Sequence, residues 1–151
     1  MPEGKAVAVV TGSSSGIGLE TSLTLARNGF HTYATMRKLD EGSRQITDIV
    51  KNENLPLQVI QLDVNNEKSV MNAINIIVKE NGRIDALINN AGYALVGALE
   101  ETSMEEIKAQ FETNFFGAIR AMQAVIPIMR KQRSGKILNI TSMGGKSCNS
   151  P

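Results

Sequence analysis

The residues best suited to chemistry sit where short apolar runs end. Thr11-Gly12-Ser13-Ser14-Ser15-Gly16-Ile17-Gly18-Leu19 follows the run at 6–11 and opens an amphipathic stretch. Glycine at 12, 16 and 18 permits a tight turn, lets a pyrophosphate approach the backbone and lets a helix start close against a strand. That helix would aim its unpaired N–H groups and positive dipole end at phosphates. Such a loop is also an ordinary strand-to-helix turn, but a strand before and a helix after is the context a dinucleotide loop requires. Further on, Thr35-Met36-Arg37-Lys38 ends the second apolar run without an acid. A carboxylate there would grip ribose hydroxyls, whereas Arg37 pairs with a 2′-phosphate, so the reading is NADP(H) in preference to NAD. The alternative for Arg37 is a solvated basic residue at a strand end.

Two other polar residues stand out. Asn114 lies between Phe111 and Ala118, beside Phe115, on a helix face expected to be buried. An amide there costs free energy unless it is hydrogen-bonded. It is either a functional group or a satisfied core asparagine at a helix irregularity. Ser142 follows the run Lys136-Ile137-Leu138-Asn139-Ile140-Thr141, at the end of a strand where open α/β sheets place ligands. No His-Asp pair accompanies it, so it is not a nucleophile. Thr141 is expected on the other side of that strand.

These residues need a scaffold, and the sequence supplies an alternating one. Strands are predicted at 6–11, 31–36, 57–62, 84–89 and 136–141, and helices at 16–28, 67–80 and 104–131. Leu19, Leu23 and Ala26 form one stripe, as do Val70, Ile74, Ile77 and Val78. On the long helix the stripe runs Ile107, Phe111, Phe115, Ala118, Met122, Ile126, Met129. Ser103 and Glu106 make a capping box at its start, and Pro127 predicts a bend or an early end. The first, fourth and fifth strands are apolar on both sides, as strands covered by helices on both faces must be. The alternation predicts a doubly wound α/β fold, a Rossmann-type parallel sheet in three α/β/α layers.

Composition removes other classes. The chain has 151 residues, 42% hydrophobic and 21% charged, with a net charge of +1 from 16 basic and 15 acidic side chains. That is enough for one domain, and no basic block points to nucleic acid or a membrane surface. No apolar run approaches the ~20 residues of a membrane span, and the N-terminus lacks a signal-peptide pattern. One cysteine and one histidine argue against a disulfide framework or a structural metal site. A reducing, cytoplasmic setting is the expectation.

Leu62-Asp63-Val64, Asn89-Asn90-Ala91-Gly92 and Thr113-Asn114-Phe115-Phe116-Gly117 complete a set with the glycine loop and Asn139-Ile140-Thr141-Ser142. In this order, across essentially the whole chain, they resemble the short-chain dehydrogenase/reductase family. Tyr33-Ala34-Thr35-Met36-Arg37 also resembles its NADP-preferring branch, which reduces ketones of steroids, retinoids and similar lipids. The resemblance implies hydride transfer between a nicotinamide and a ketone or secondary alcohol. It implies that Gly12, Gly16 and Gly18 shape the pyrophosphate loop, with Ser14 and Ile17 beside it. Asp63 would accept from the adenine amino group, with Val64 against the ring. Asn90, Ala91 and Gly92 would line the ribose side and tie down the central strand. Asn114 would hold a water of a proton relay, and Ser142 would polarise the substrate carbonyl.

The family's proton donor is a tyrosine with a lysine four residues on, one helical turn away. Tyr33 has Arg37 at that spacing and Tyr93 has Gly97, and nine residues follow Ser142. The resemblance therefore implies one NAD(P)-binding domain, 1–151, truncated before the Tyr-x-x-x-Lys helix, with about five of the family's seven strands. Part of the long helix's apolar face and one sheet edge are then expected to be exposed, and the 151-residue chain alone to be inactive. The full-length protein would act on a small carbonyl or alcohol as a homo-oligomer. Alternatives are a naturally short, non-catalytic nucleotide-binding or assembly module, or one piece of a split enzyme.

Overall fold

The computed structural model describes residues 4–39 and 41–142. Within them, strands and helices alternate: β1 Val7–Val10, α1 Gly16–Arg27, β2 His31–Met36, α2 Glu41–Glu53, β3 Leu57–Gln61, α3 Glu67–Asn81 and β4 Ala86–Asn89. A short 3₁₀ turn, Leu99–Glu101, then leads to α4 Met104–Phe111, a π-turn Glu112–Phe116, α5 Gly117–Gln132 and β5 Lys136–Asn139. All strand pairs are parallel, in the order β3-β2-β1-β4-β5. The chain winds outward from β1 to β3, then returns to β4 on the other side of β1. The switch point between β1 and β4 is where such a sheet opens a crevice at its carboxyl end.

Period-two alternation sorts the core. Val7, Val9, Tyr33 and Leu87 face one layer, where Val70, Ile74 and Ile77 of α3 meet Ala121, Val125 and Met129 of α5. Ala34 and Met36 face the other, against Leu19, Leu23 and Ala26 of α1 and Ile46 of α2. At the amino end, Asp85 joins three strands. Its carboxylate accepts from Val7 N–H at 2.8 Å and its own N–H donates to the Val7 carbonyl at 2.8 Å. Its carbonyl accepts from Lys136 N–H at 2.8 Å.

The doubly wound fold agrees with the expectation from the sequence, and several details differ. Helix α2 has no counterpart among the predicted helices; among its described side chains only Ile46 is fully buried, so its apolar signal is thin. The stripe predicted on 104–131 is met in part: Met129 is buried and Met122 packs on the core. Phe111, Phe115 and Ile126 are exposed, in keeping with the expected exposure of part of this face, and α5 also buries Gly117, Ala121 and Val125. Small residues face the sheet because they allow close packing, and the π-turn inserts a residue that rotates the following face. Pro127 does not end the helix, which runs to Gln132; Gln123 and Pro127 lie on the exposed side, where water can satisfy the carbonyl the proline leaves unbonded. β5 is an edge strand rather than one covered on both faces, with Leu138 exposed. No helix among the described residues is long and apolar enough to cross a membrane.

Tyr33 is fully buried beneath α3, its hydroxyl donating to Glu80 at 2.6 Å and accepting from Asn81 Nδ2 at 2.7 Å. Burial and the bond to Glu80 push the phenol up to about 12. The folded state therefore holds this proton while the unfolded chain releases it near pH ~10, so stability falls as pH rises from about 10 to 12. We expect up to about 3 kcal/mol to be lost over that window. Urea unfolding at pH 9, 10 and 11 should show the first half of that loss, roughly 1.4 kcal/mol by pH 11, in the wild type and a shallower slope in Tyr33→Phe. Parallel slopes would contradict it.

Candidate functional site

The carboxyl ends of the strands open into one cleft of about 1070 Å³. Every residue singled out from the sequence lines it except Gly16, which begins α1 beside it: Gly12, Ser14, Ile17, Gly18, Arg37, Asp63, Val64, Asn90, Ala91, Gly92, Asn114 and Ser142. Thr141 lines it as well. Residues 143–151, which carry Cys148, lie outside the described residues.

The loop after β1 is built around absent side chains. Gly12 has φ +69°, and a Cβ there would come within 2.7 Å of Ala91 Cα. A Cβ on Gly18 would overlap the Gly12 carbonyl oxygen and Asn90 Nδ2. The loop is held from beneath by hydroxyls that the sequence reading passed over. Thr11 is buried, and its Oγ1 accepts from both Asn90 N–H and Ala91 N–H at 3.0 Å. Ser13 is buried too; its N–H donates to the Thr35 carbonyl at 2.8 Å and its hydroxyl to the Val10 carbonyl at 3.0 Å. Ser22 Oγ lies 3.0 Å from Ser13 Oγ and 2.8 Å from the Gly18 carbonyl. The legible signal was hydroxyls interleaved with glycine directly after a buried strand.

The Asn90 amide spans the switch point, donating at 3.0 Å to the carbonyls of both Thr11 and Gly12. It thereby ties β4 to the glycine loop. The start of α1 presents open N–H groups: Ser15 makes no side-chain cap and the first turn has no acid. By contrast, α3 is capped by Asn66 and α4 by the Ser103–Glu106 capping box, each with acid in its first turn. Ile17 at the α1 mouth is 65% exposed, an apolar side chain with no protein cover.

The other walls are polar at chosen points. Asp63 is half-buried after β3; its Oδ1 accepts from Asn65 N–H at 2.9 Å and its own N–H donates to Ser69 Oγ at 3.0 Å. It is the one carboxylate among the described lining residues. Arg37 is exposed just past β2, its carbonyl accepting from Gln61 Nε2 at 3.0 Å. At the far end, Asn89 Nδ2 donates to Asn139 Oδ1 at 2.9 Å across the ends of β4 and β5, beneath Ser142.

Asn114 departs from the expectation of burial: it is exposed in the π-turn. Its amide is nevertheless fully engaged, with Oδ1 accepting from Tyr93 N–H at 3.0 Å and Nδ2 donating to the Tyr93 carbonyl at 2.7 Å. Gln110 Nε2 joins at the same carbonyl at 3.2 Å. A Cβ on Gly92 would stand 3.0 Å from Asn114 Oδ1, so the strand exit and the amide are packed together. Asn114 therefore clamps the backbone of the loop after β4.

A glycine loop, an uncapped helix start and polar strand ends meet in this cleft, a setting suited to phosphate binding. Known proteins share this chain's sequence pattern and fold. The family model described as short chain dehydrogenase matches residues 6–150. The chain is 42% identical over 139 residues to 3-ketodihydrosphingosine reductase of Bacteroides thetaiotaomicron, covering 92% of this chain and 48% of the relative. It is 40% identical over 150 residues to retinol dehydrogenase 8 of Bos taurus, covering 96% and 47%. The crystal structure of F189W actinorhodin polyketide ketoreductase with NADPH superposes with a TM-score of 0.89 at 32% identity, covering 95% of this chain and 55% of that one. The chain spans about half the length of the curated relatives it matches. Fold, cleft and sequence agree, and the chain belongs to the short-chain dehydrogenase/reductase family.

Proposed function

We propose that the chain is the nucleotide-binding part of an NADP(H)-dependent oxidoreductase acting on a ketone or secondary alcohol, with an apolar, lipid-like substrate. The observation that carries this reading is the cleft wall at β2, where Arg37 stands exposed and no carboxylate accompanies it among the described lining residues of that strand end. A 2′-phosphate suits that position, and a bare pair of ribose hydroxyls does not. The NADPH of the related polyketide ketoreductase and the lipid substrates named for the two relatives support it.

The residues present fit a dinucleotide. Gly12 and Gly18 let the loop pack closely against Ala91 and Asn90 at the mouth of α1, and the α1 start supplies N–H groups and a favourable dipole. Asp63 and Val64 would hold the adenine and Arg37 the 2′-phosphate, with Asn90 to Gly92 along the ribose. A bound nicotinamide would supply the hydride. Ser142 at the carboxyl end of β5 would donate a hydrogen bond to the substrate oxygen, and Asn114 would fix the loop that shapes the pocket beside it.

A proton must also reach that oxygen, and neither tyrosine suits the task. Tyr33 is buried, bound to Glu80 and held near 12. Tyr93 lines the cleft with Gly97, not lysine, four residues on. The activity is therefore assigned to a longer polypeptide that supplies the donor. The purified 151-residue chain is expected to bind NADPH and to leave it unoxidised in the presence of long-chain ketones or retinal, followed by loss of nicotinamide absorbance. Sustained oxidation would overturn this assignment. A chain that binds no nucleotide at all would overturn the whole reading.

A further inference from the structure

The π-turn touches both ends of the cleft. Its Thr113 hydroxyl is fully committed, donating to the Ala109 carbonyl at 3.3 Å and accepting from Asn65 Nδ2 at 2.9 Å. Asn65 belongs to the Asp63–Asn65 turn, which faces the adenosine end. The next residue, Asn114, clamps the Tyr93 backbone on the opposite wall. Arg120 ties the same turn down, donating to the Val64 carbonyl at 3.2 Å and to Glu112 of the π-turn. Gly117 completes the contact: its N–H closes the π-turn on the Glu112 carbonyl, and a Cβ there would stand 2.7 Å from Val64 Cγ2. Adjacent residues of one irregular turn thus hold the adenosine loop on one side and the loop after β4 on the other.

We propose that this π-turn is a strut coupling occupancy of the adenosine end to the Asn114 clamp, with Thr113 and Arg120 as positioning residues. The inference rests on the nucleotide reading above. Opening the clamp would free the Tyr93 N–H, which Asn114 Oδ1 holds in this structure. A ligand that braces Asn65 holds Thr113, and Thr113 holds the turn in which Asn114 sits, so opening becomes rarer without any direct contact to Tyr93. π-turns concentrate at functional sites because the inserted residue breaks the regular ladder and re-aims neighbouring side chains.

The test is amide hydrogen exchange at Tyr93 N–H with and without saturating adenosine 2′,5′-bisphosphate, a probe with no nicotinamide half to reach that loop. In the wild type the probe should slow exchange at least about fivefold, the lower range of ordinary coupling between sites. In Thr113→Val the probe should still bind, and the slowing should fall below about twofold, while Thr113→Ser should behave as wild type. Asn65→Ala removes the same bond from the other side and should match Thr113→Val. Binding with unchanged Tyr93 exchange in the wild type would overturn the coupling alone, as would full slowing in Asn65→Ala. A wild type that does not bind the probe overturns the nucleotide reading, and the coupling with it.

Discussion

Gly18→Ala is expected to abolish measurable NADPH binding, a loss of more than about a hundredfold, and to destabilise the fold by about 1–3 kcal/mol. The added Cβ would overlap the Gly12 carbonyl and the Asn90 amide, and neither has room to yield. The Gly12 carbonyl is backbone in a loop pinned by Thr11 and Ser13. The Asn90 amide already donates to two carbonyls, and moving it would leave both unpaired at the switch point. The start of α1 would have to swing outward, carrying its N–H groups away from the phosphates. Gly16→Ala is the matched control. Its Cβ would meet open space, so the penalty is the left-handed backbone at φ +55°, about 1–2 kcal/mol. Nucleotide fluorescence titrations with thermal melts should rank Gly18→Ala far below Gly16→Ala in affinity. Equal affinities would show that the loop does not contact the phosphates.

Arg37→Ala is expected to weaken NADPH binding about ten- to a hundredfold and to leave NADH within about twofold. A charge-assisted hydrogen bond is worth about 1.5–3 kcal/mol, and each 1.4 kcal/mol is tenfold in Kd. The effect should shrink at high salt because Arg37 is exposed and screened. A mutation that weakened both cofactors equally would mark Arg37 as a structural residue. One that weakened neither would place the 2′-phosphate elsewhere.

The site was more legible in the sequence than its supports, for a physical reason. Gly12 and Gly18 can be placed from a glycine loop between a strand and a helix, whereas Asn and Gly also make ordinary turns, so Asn90 is placed only through the family resemblance. Thr11, Ser13 and Ser22 act through buried hydroxyls, and serine and threonine are too common in turns to stand out. Helix α2 has little apolar signal, and among its described side chains Ile46 alone is fully buried. On the long helix the large apolar residues misled. Phe111 and Phe115 point to solvent, while Gly117, Ala121 and Val125 make the close contact with the core. On this helix close packing against the sheet selects small side chains for the buried face. The same π-turn that shifts the stripe also exposes Asn114, whose partners are backbone groups of Tyr93 that no side-chain pattern could announce.

The central claim is that the cleft selects NADP(H). The most direct measurement is the pair of Kd values for NADPH and NADH on the wild-type chain under identical ionic strength. The account predicts NADPH binding at least about tenfold tighter, the contribution of one charge-assisted contact to the 2′-phosphate. Equal Kd values, or tighter binding of NADH, would contradict it.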